Sequence, residues 1–239
     1  MSFSLEHFDL DAFVRATLAE DLGPSGRDVT SESVIPAEAR FSGVMDSRDA
    51  IVVAGLPIAE AFFRHLDPDV EIELLSKDGE TVGKGTDLMR LTGKARAMLT
   101  AERSALNTVQ HLSGIATMTQ SYVKAIAGTG CTLLDTRKTI PGLRVLEKYA
   151  VRMGGGQNHR MGLWDAAMIK DNHVAVAGGV AEAVMRARDA GRGADHFGSG
   201  PDRTDRAGAG SGCDASAARQ YGAGHAARGR RAGGGPRAD

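Results

Sequence analysis

An α/β fold is predicted for most of this 239-residue chain, in two parts: a small antiparallel sheet with helices, then the opening of a parallel sheet or barrel. Three observations predict it. Residues 30–92 hold short runs that alternate apolar and polar positions, broken by charged turns, as half-exposed strands do. Residues 95–127 switch to helical spacing. Beyond residue 130, short apolar runs alternate with helical segments, the pattern of parallel strands joined by crossover helices.

Phe8, Leu10, Phe13, Val14 and Leu18 recur at helical spacing, so Leu5 to Leu22 reads as an amphipathic helix stopped by Gly23-Pro24. Asp28-Val29-Thr30-Ser31 follows as a loop or cap. FSGVM and IVVAG read as strands, with a charged turn between them. Leu56 to Leu66 forms a helix with Ile58, Ala59, Phe62 and Phe63 inward. VEIELL is a half-exposed strand, Lys77 to Glu80 a turn, and Thr81 to Thr92 further short strands. In the 95–127 segment Leu99, Leu106, Val109 and Leu112 share one helical face, and Gly114 breaks the run into two helices. CTLLDT is expected as a short buried strand, Leu143 to Val151 as a helix, AAMIK as a strand and Val180 to Arg188 as a helix.

Composition changes abruptly near the end. Residues 189–239 hold 13 Gly, 12 Ala and 8 Arg but no Leu, Ile, Val, Met, Lys or Glu. Such a segment has too little apolar surface to offset the entropy cost of ordering. The rest excludes several classes. A formal net charge of -1 lacks the basic excess of a nucleic-acid or anionic-membrane binder. No apolar run approaches the roughly 20 residues that cross a bilayer, and the acidic start does not resemble a secretory signal. Cys131 and Cys213 make no disulfide framework, so the cytoplasm is the expected setting.

Polar density collects in three segments: Asp135-Thr136-Arg137-Lys138-Thr139, Gly154 to Arg160, and Lys170-Asp171-Asn172-His173. The first and third directly follow expected strands, where parallel α/β folds place their active groups. Together they supply Arg137, Lys138, His159, Arg160, Lys170 and His173, a cationic set suited to a small, multiply anionic ligand. Taken singly, Arg137-Lys138 also reads as a solvated turn, the glycine run as a flexible connection and His159 as a structural histidine. No GxxxxGK[ST], GxGxxG, CxxC or HExxH pattern occurs, so nucleotide-loop and metal-site readings lack support.

In their order and context, ERSALNTVQHLSGIAT, LLDTRKTIPGLRVLEKYAVRMGGGQNHRMGLWDAAMIKDNH and the early EDLGPSGRDVT resemble quinolinate phosphoribosyltransferase over roughly residues 8 to 188. The resemblance implies an N-terminal open-faced α/β sandwich (1–112) and the first part of an α/β barrel (113–188), the type II phosphoribosyltransferase architecture, with the barrel incomplete here. It implies a homodimer, with Arg103 donated to the neighbouring active site. Arg137, His159 and Arg160 would hold the carboxylates of quinolinate, and Thr136 would also bind substrate. Lys138 and Lys170 would face phosphoribosyl pyrophosphate as the catalytic cations, with Mg2+ accompanying the pyrophosphate and no organic cofactor.

The later family motifs, a Glu in EVE or EVD, an Asp in LLDN and a glycine-rich 5′-phosphate segment, are absent from 189–239 as written. Codons for Ala217 to Tyr221 read one base later permit LLDNM, and those for Gly198 to Gly200 permit EVD. The tail is therefore expected to be frame-shifted and the chain inactive. Two alternatives stand beside this reading. One is a paralogue of the same fold, of the molybdenum-transport-associated kind; the other is a non-catalytic binder of a phosphorylated metabolite.

Overall fold

A computed structural model describes residues 3–190 and the backbone of 196–197. The frame-shift reading of the tail falls outside the described residues. The elements in chain order are α1 (Leu10–Leu22), α2 (Val29–Val34), β1 (Arg40–Asp46), β2 (Ile51–Val52), α3 (Leu56–Leu66), β3 (Glu71–Leu74), β4 (Thr81–Val82) and β5 (Asp87–Lys94). They continue with α4 (Ala95–Ala125), α5 (Arg144–Met153), β6 (Met168–Ile169), α6 (Asp171–Ala177), α7 (Val180–Asp189) and β7 (His196–Phe197).

Local chemistry sets the helix ends. α1 starts later than its apolar spacing predicts because Asp9 caps it, accepting the Ala12 amide at 2.8 Å. Asp28 caps α2 through the Ser31 amide (2.9 Å) and hydroxyl (2.6 Å), and also accepts from Thr100 on α4 at 2.9 Å. The early EDLGPSGRDVT run is thereby tied to the long helix.

The sheet order is β1-β5-β3, antiparallel throughout. FSGVM and IVVAG do not pair with each other: β2 pairs instead with β4. One face of the sheet carries an open polar ladder, with Ser42 opposite Thr92 and Glu73 opposite Arg90. Their side chains bond at 2.8 Å in both pairs. The other face feeds the core through Met45, Met89 and Leu91. There Ile58, Ala59, Phe62 and Phe63 of α3 meet Ala101, Ala105, Val109 and Leu112 of α4, all buried. Alanines let the two helices approach closely, and each large side chain here is worth about 2–5 kcal/mol against truncation.

Gly114 does not break the helix. α4 runs unbroken for 31 residues, because the roughly 1 kcal/mol cost of a helical glycine is small beside the packing on either side of it. Leu99, placed with the inward face by spacing, is exposed, and Leu106 is half-buried; Met98, Ala101 and Ala105 turn inward instead.

The second half departs more from expectation. CTLLDT is not a buried strand: it makes a single parallel bridge, Leu134 to Gln157, and Leu134 is 47% exposed. β6 and β7 pair in parallel over two residues each, and α6 was not foreseen from the sequence. A buried parallel strand needs neighbours on both edges and helices on both faces. Among the described residues no closed barrel forms, and Val176 is left 89% exposed.

Candidate active site

The site is organised by α5, which packs against α4. Its first turns place two adjacent ionisable residues, Glu147 and Lys148, in the buried interior. Lys148 Nζ is ion-paired with Asp135 Oδ1 and donates to the His159 carbonyl at 3.1 Å. Asp135 also accepts from Asn158 Nδ2 at 2.6 Å and from the His159 amide at 2.8 Å. Asn158 Nδ2 donates in addition to the Lys148 carbonyl at 2.8 Å. The backbone adds two bonds, Gln157 N–H to the Leu133 carbonyl (2.9 Å) and Asp135 N–H to the Gln157 carbonyl (3.1 Å). A buried ion pair persists only when its remaining polar atoms are satisfied, and here they are. The first two polar segments are thus locked together by one charged knot.

The glycine run is a packing device rather than the flexible connection its composition predicts. A Cβ on Gly154 would lie 2.3 Å from the Ala116 carbonyl oxygen, and one on Gly156 would lie 2.8 Å from Val151 Cγ1. Gly155 sits at φ +87°, the left-handed region that favours glycine. The chain can therefore leave α5 directly against α4 and deliver Asn158, His159 and Arg160 beside Asp135.

Arg137 and Arg160 are half-buried, and each has a guanidinium Nε that is buried without a hydrogen-bond partner. Arg160 spends one other nitrogen on the Ala166 carbonyl at 2.9 Å. Two orphaned cationic donors are costly without a ligand, because buried polar groups are almost always paired. Thr136 Oγ1 accepts the Lys138 amide at 3.1 Å. Thr136 and Lys138 line a cleft of about 640 Å³ with Asp135, His111, Ile140 and Glu147. Arg137, His159, Arg160, Arg103 and Lys170 do not line it. Arg103 is exposed on α4, and Lys170 is the exposed N-cap of α6, its amide donating to His173 Nδ1 at 3.0 Å.

Sequence reading missed Lys148, Glu147, Asn158, His111 and Arg144 as contributors. One signal was present: Glu147 and Lys148 stand between the apolar residues of the helical face of α5. Tyr149, next along, donates to Asp78 at 2.6 Å, and Asp78 also accepts the Gly55 and Leu56 amides at 2.7 and 3.1 Å. Burial, with that carboxylate, pushes the Tyr149 phenol well above its ordinary range. Among the described residues no group of three or more His, Cys, Asp or Glu could hold a metal ion.

Models of two domains match this chain: the quinolinate phosphoribosyl transferase N-terminal domain over residues 28–113 and the C-terminal domain over residues 115–194. The crystal structure of NadC from Streptococcus pyogenes is 38% identical, with a TM-score of 0.76, and the match covers 83% of this chain and 70% of that one. This chain belongs to the quinolinate phosphoribosyltransferase family. The nicotinate-nucleotide pyrophosphorylase from Francisella tularensis is similar at 39% identity and a TM-score of 0.72, over 80% of this chain and 68% of that one. Among curated quinolinate phosphoribosyltransferase relatives, the chloroplastic nicotinate-nucleotide pyrophosphorylase [carboxylating] of Arabidopsis thaliana is 44% identical over 177 residues, 74% of this chain. The chain spans half the length of that relative. A probable nicotinate-nucleotide pyrophosphorylase of Bacillus subtilis is 43% identical over 186 residues, 78% of this chain and 63% of its own length.

Proposed function

We propose that the described site is the quinolinate-binding part of a nicotinate-nucleotide pyrophosphorylase (carboxylating). In that reaction quinolinate attacks phosphoribosyl pyrophosphate, and nicotinate mononucleotide, CO2 and pyrophosphate are released, a step of NAD biosynthesis. The observation that carries the reading is the pair of buried, unpartnered Nε atoms of Arg137 and Arg160, next to the knot that fixes His159. A planar dicarboxylate supplies the acceptors that two guanidinium groups lack. Lys138 at the cleft wall, with Lys170, would stabilise the negative charge that grows on the departing pyrophosphate. Thr136 would hold substrate beside them. Once the ring nitrogen is alkylated it can absorb the electron pair left by CO2, so positioning does the remaining work.

Further features rest on family likeness. The active form would be a homodimer in which Arg103, exposed on α4, completes the neighbouring site. Mg2+ would arrive with phosphoribosyl pyrophosphate as part of that substrate; among the described residues no group of three or more His, Cys, Asp or Glu is placed to hold it. By likeness to the bacterial relatives, the cytoplasm would be the location. Among the described residues no helix is long and apolar enough to cross a membrane. The segment after residue 188 is read as frame-shifted, so this chain would bind quinolinate without completing turnover. The gene sequence tests the frame-shift, since codons at 217–221 unable to yield LLDNM would reject it.

Calorimetric titration with quinolinate tests the site. The chain should bind, and Arg137→Ala should weaken binding by about 2–5 kcal/mol, the cost of removing one partner of a buried charge pair. An unchanged dissociation constant in Arg137→Ala would remove Arg137 from the site. Nicotinate mononucleotide formation by purified protein of this sequence would refute its inactivity.

A further inference from the structure

The loop from Thr136 to Pro141 carries Lys138, which lines the cleft, and Arg137 beside it in sequence. The Asp135 knot anchors its start. Its far end is held by different groups. Glu147 Oε2 accepts the Ile140 amide at 3.2 Å, and Arg144 Nε donates to Thr139 Oγ1 at 3.1 Å. The other Glu147 oxygen, Oε1, lies 3.0 Å from His111 Nε2 on α4. With Glu147 as acceptor, the imidazole would donate from Nε2. Glu147 is buried while His111 is 37% exposed along its side chain and lines the same cleft. A buried carboxylate with only one weak amide donor would be under-satisfied. His111 therefore supplies the donor that keeps Glu147 aimed at Ile140.

We propose that His111 and Glu147 form a positioning pair that fixes the Thr136–Pro141 loop, and with it the placement of Lys138 on the cleft wall and of the adjoining Arg137. The inference rests on the quinolinate-binding reading above. In this role His111 acts through Glu147, and Glu147 through the Ile140 amide. Adjacent residues of α5 would then set both ends of one loop, Lys148 through Asp135 and Glu147 through Ile140. The cleft geometry follows the packing of α5 on α4.

The test uses the full chain, read by amide hydrogen exchange at Ile140 and by calorimetric titration with quinolinate. His111→Ala should speed exchange at Ile140 by about tenfold, as a local protecting bond is lost. It should weaken quinolinate binding by about tenfold through misplacement of the two cations. His111→Gln, which keeps a donor at that position, should restore both values. Unchanged exchange in His111→Ala overturns the pair. Faster exchange with unchanged quinolinate affinity overturns its positioning role and leaves a merely structural contact. If His111→Ala does not fold, Glu147→Asp, which shortens the link to Ile140, gives the same two readings. Should the unsubstituted chain fail to bind quinolinate, the functional reading fails, and exchange at Ile140 still judges the contact by itself.

Discussion

Lys148→Met isolates the knot that joins the two halves of the site. The side chain of Lys148 is 1% exposed and that of Asp135 is 6% exposed, so the substitution strands a carboxylate away from water. Breaking a buried pair by removing one partner costs about 3–5 kcal/mol. Asp135 keeps the Asn158 amide at 2.6 Å and the His159 amide at 2.8 Å, which favours the lower end, about 3 kcal/mol. That is a large share of a domain stability of about 5–15 kcal/mol, and for this size it corresponds to a fall in Tm of roughly 6–12 °C. Urea unfolding can be followed by circular dichroism and by the fluorescence of Trp164, the only tryptophan, whose ring lies edge-on to His7 at 4.8 Å. Asp135→Asn combined with Lys148→Met removes both charges and should recover most of the loss, because a neutral pair of similar size escapes the desolvation penalty. A single-variant cost below about 1 kcal/mol, or a double variant as unstable as the sum of the singles, would refute the reasoning.

Other expectations follow from close contacts and from acid groups. Gly154→Ala would press a methyl within 2.3 Å of the Ala116 carbonyl; α5 must move off α4, at about 3 kcal/mol by overpacking, measurable as a shift of the urea midpoint. Tyr149→Phe removes the donor to Asp78 and should cost about 1.5–3 kcal/mol, as for a bond to a charged group, read in the same assay. Among the described residues, three carboxyl groups sit below the usual carboxylate range. Asp28 is held there first by the Ser31 hydroxyl, and Asp67 first by the Lys94 amide. For Asp165 burial pushes upward, and the amides of Met161, Gly162, Asp165 and Ala166 outweigh it. Groups with depressed folded pKa values stabilise fully above the unfolded value near 3.9 and lose that contribution as pH falls through their folded values. The urea midpoint should therefore drop as pH falls below about 4, and Asp28→Asn should flatten that acid limb.

Much of the first half was legible from spacing and turn chemistry. The helix at Leu56–Leu66 lies where its apolar spacing puts it, and Glu71–Leu74 forms a strand within VEIELL. These elements pack locally, and their patterns match their own periods. Pairing was less legible: IVVAG and FSGVM looked like neighbours, but partner choice depends on long-range burial. CTLLDT shows the same limit, since an apolar run becomes a strand only where other strands flank it.

By itself, the sequence determined which cations the chain has to offer the candidate site. DTRKT, GGGQNHR and IKDNH name the cations, and residue type alone says that such a set wants an anionic ligand. Only the tertiary structure decided how they are held. Lys148 turned out to be buried against Asp135, the glycines proved to be contact points with α4, and His111 met Glu147 across 36 positions of chain. Those outcomes depend on how helices separated in sequence pack, and packing leaves no periodic trace in the residues that it brings together.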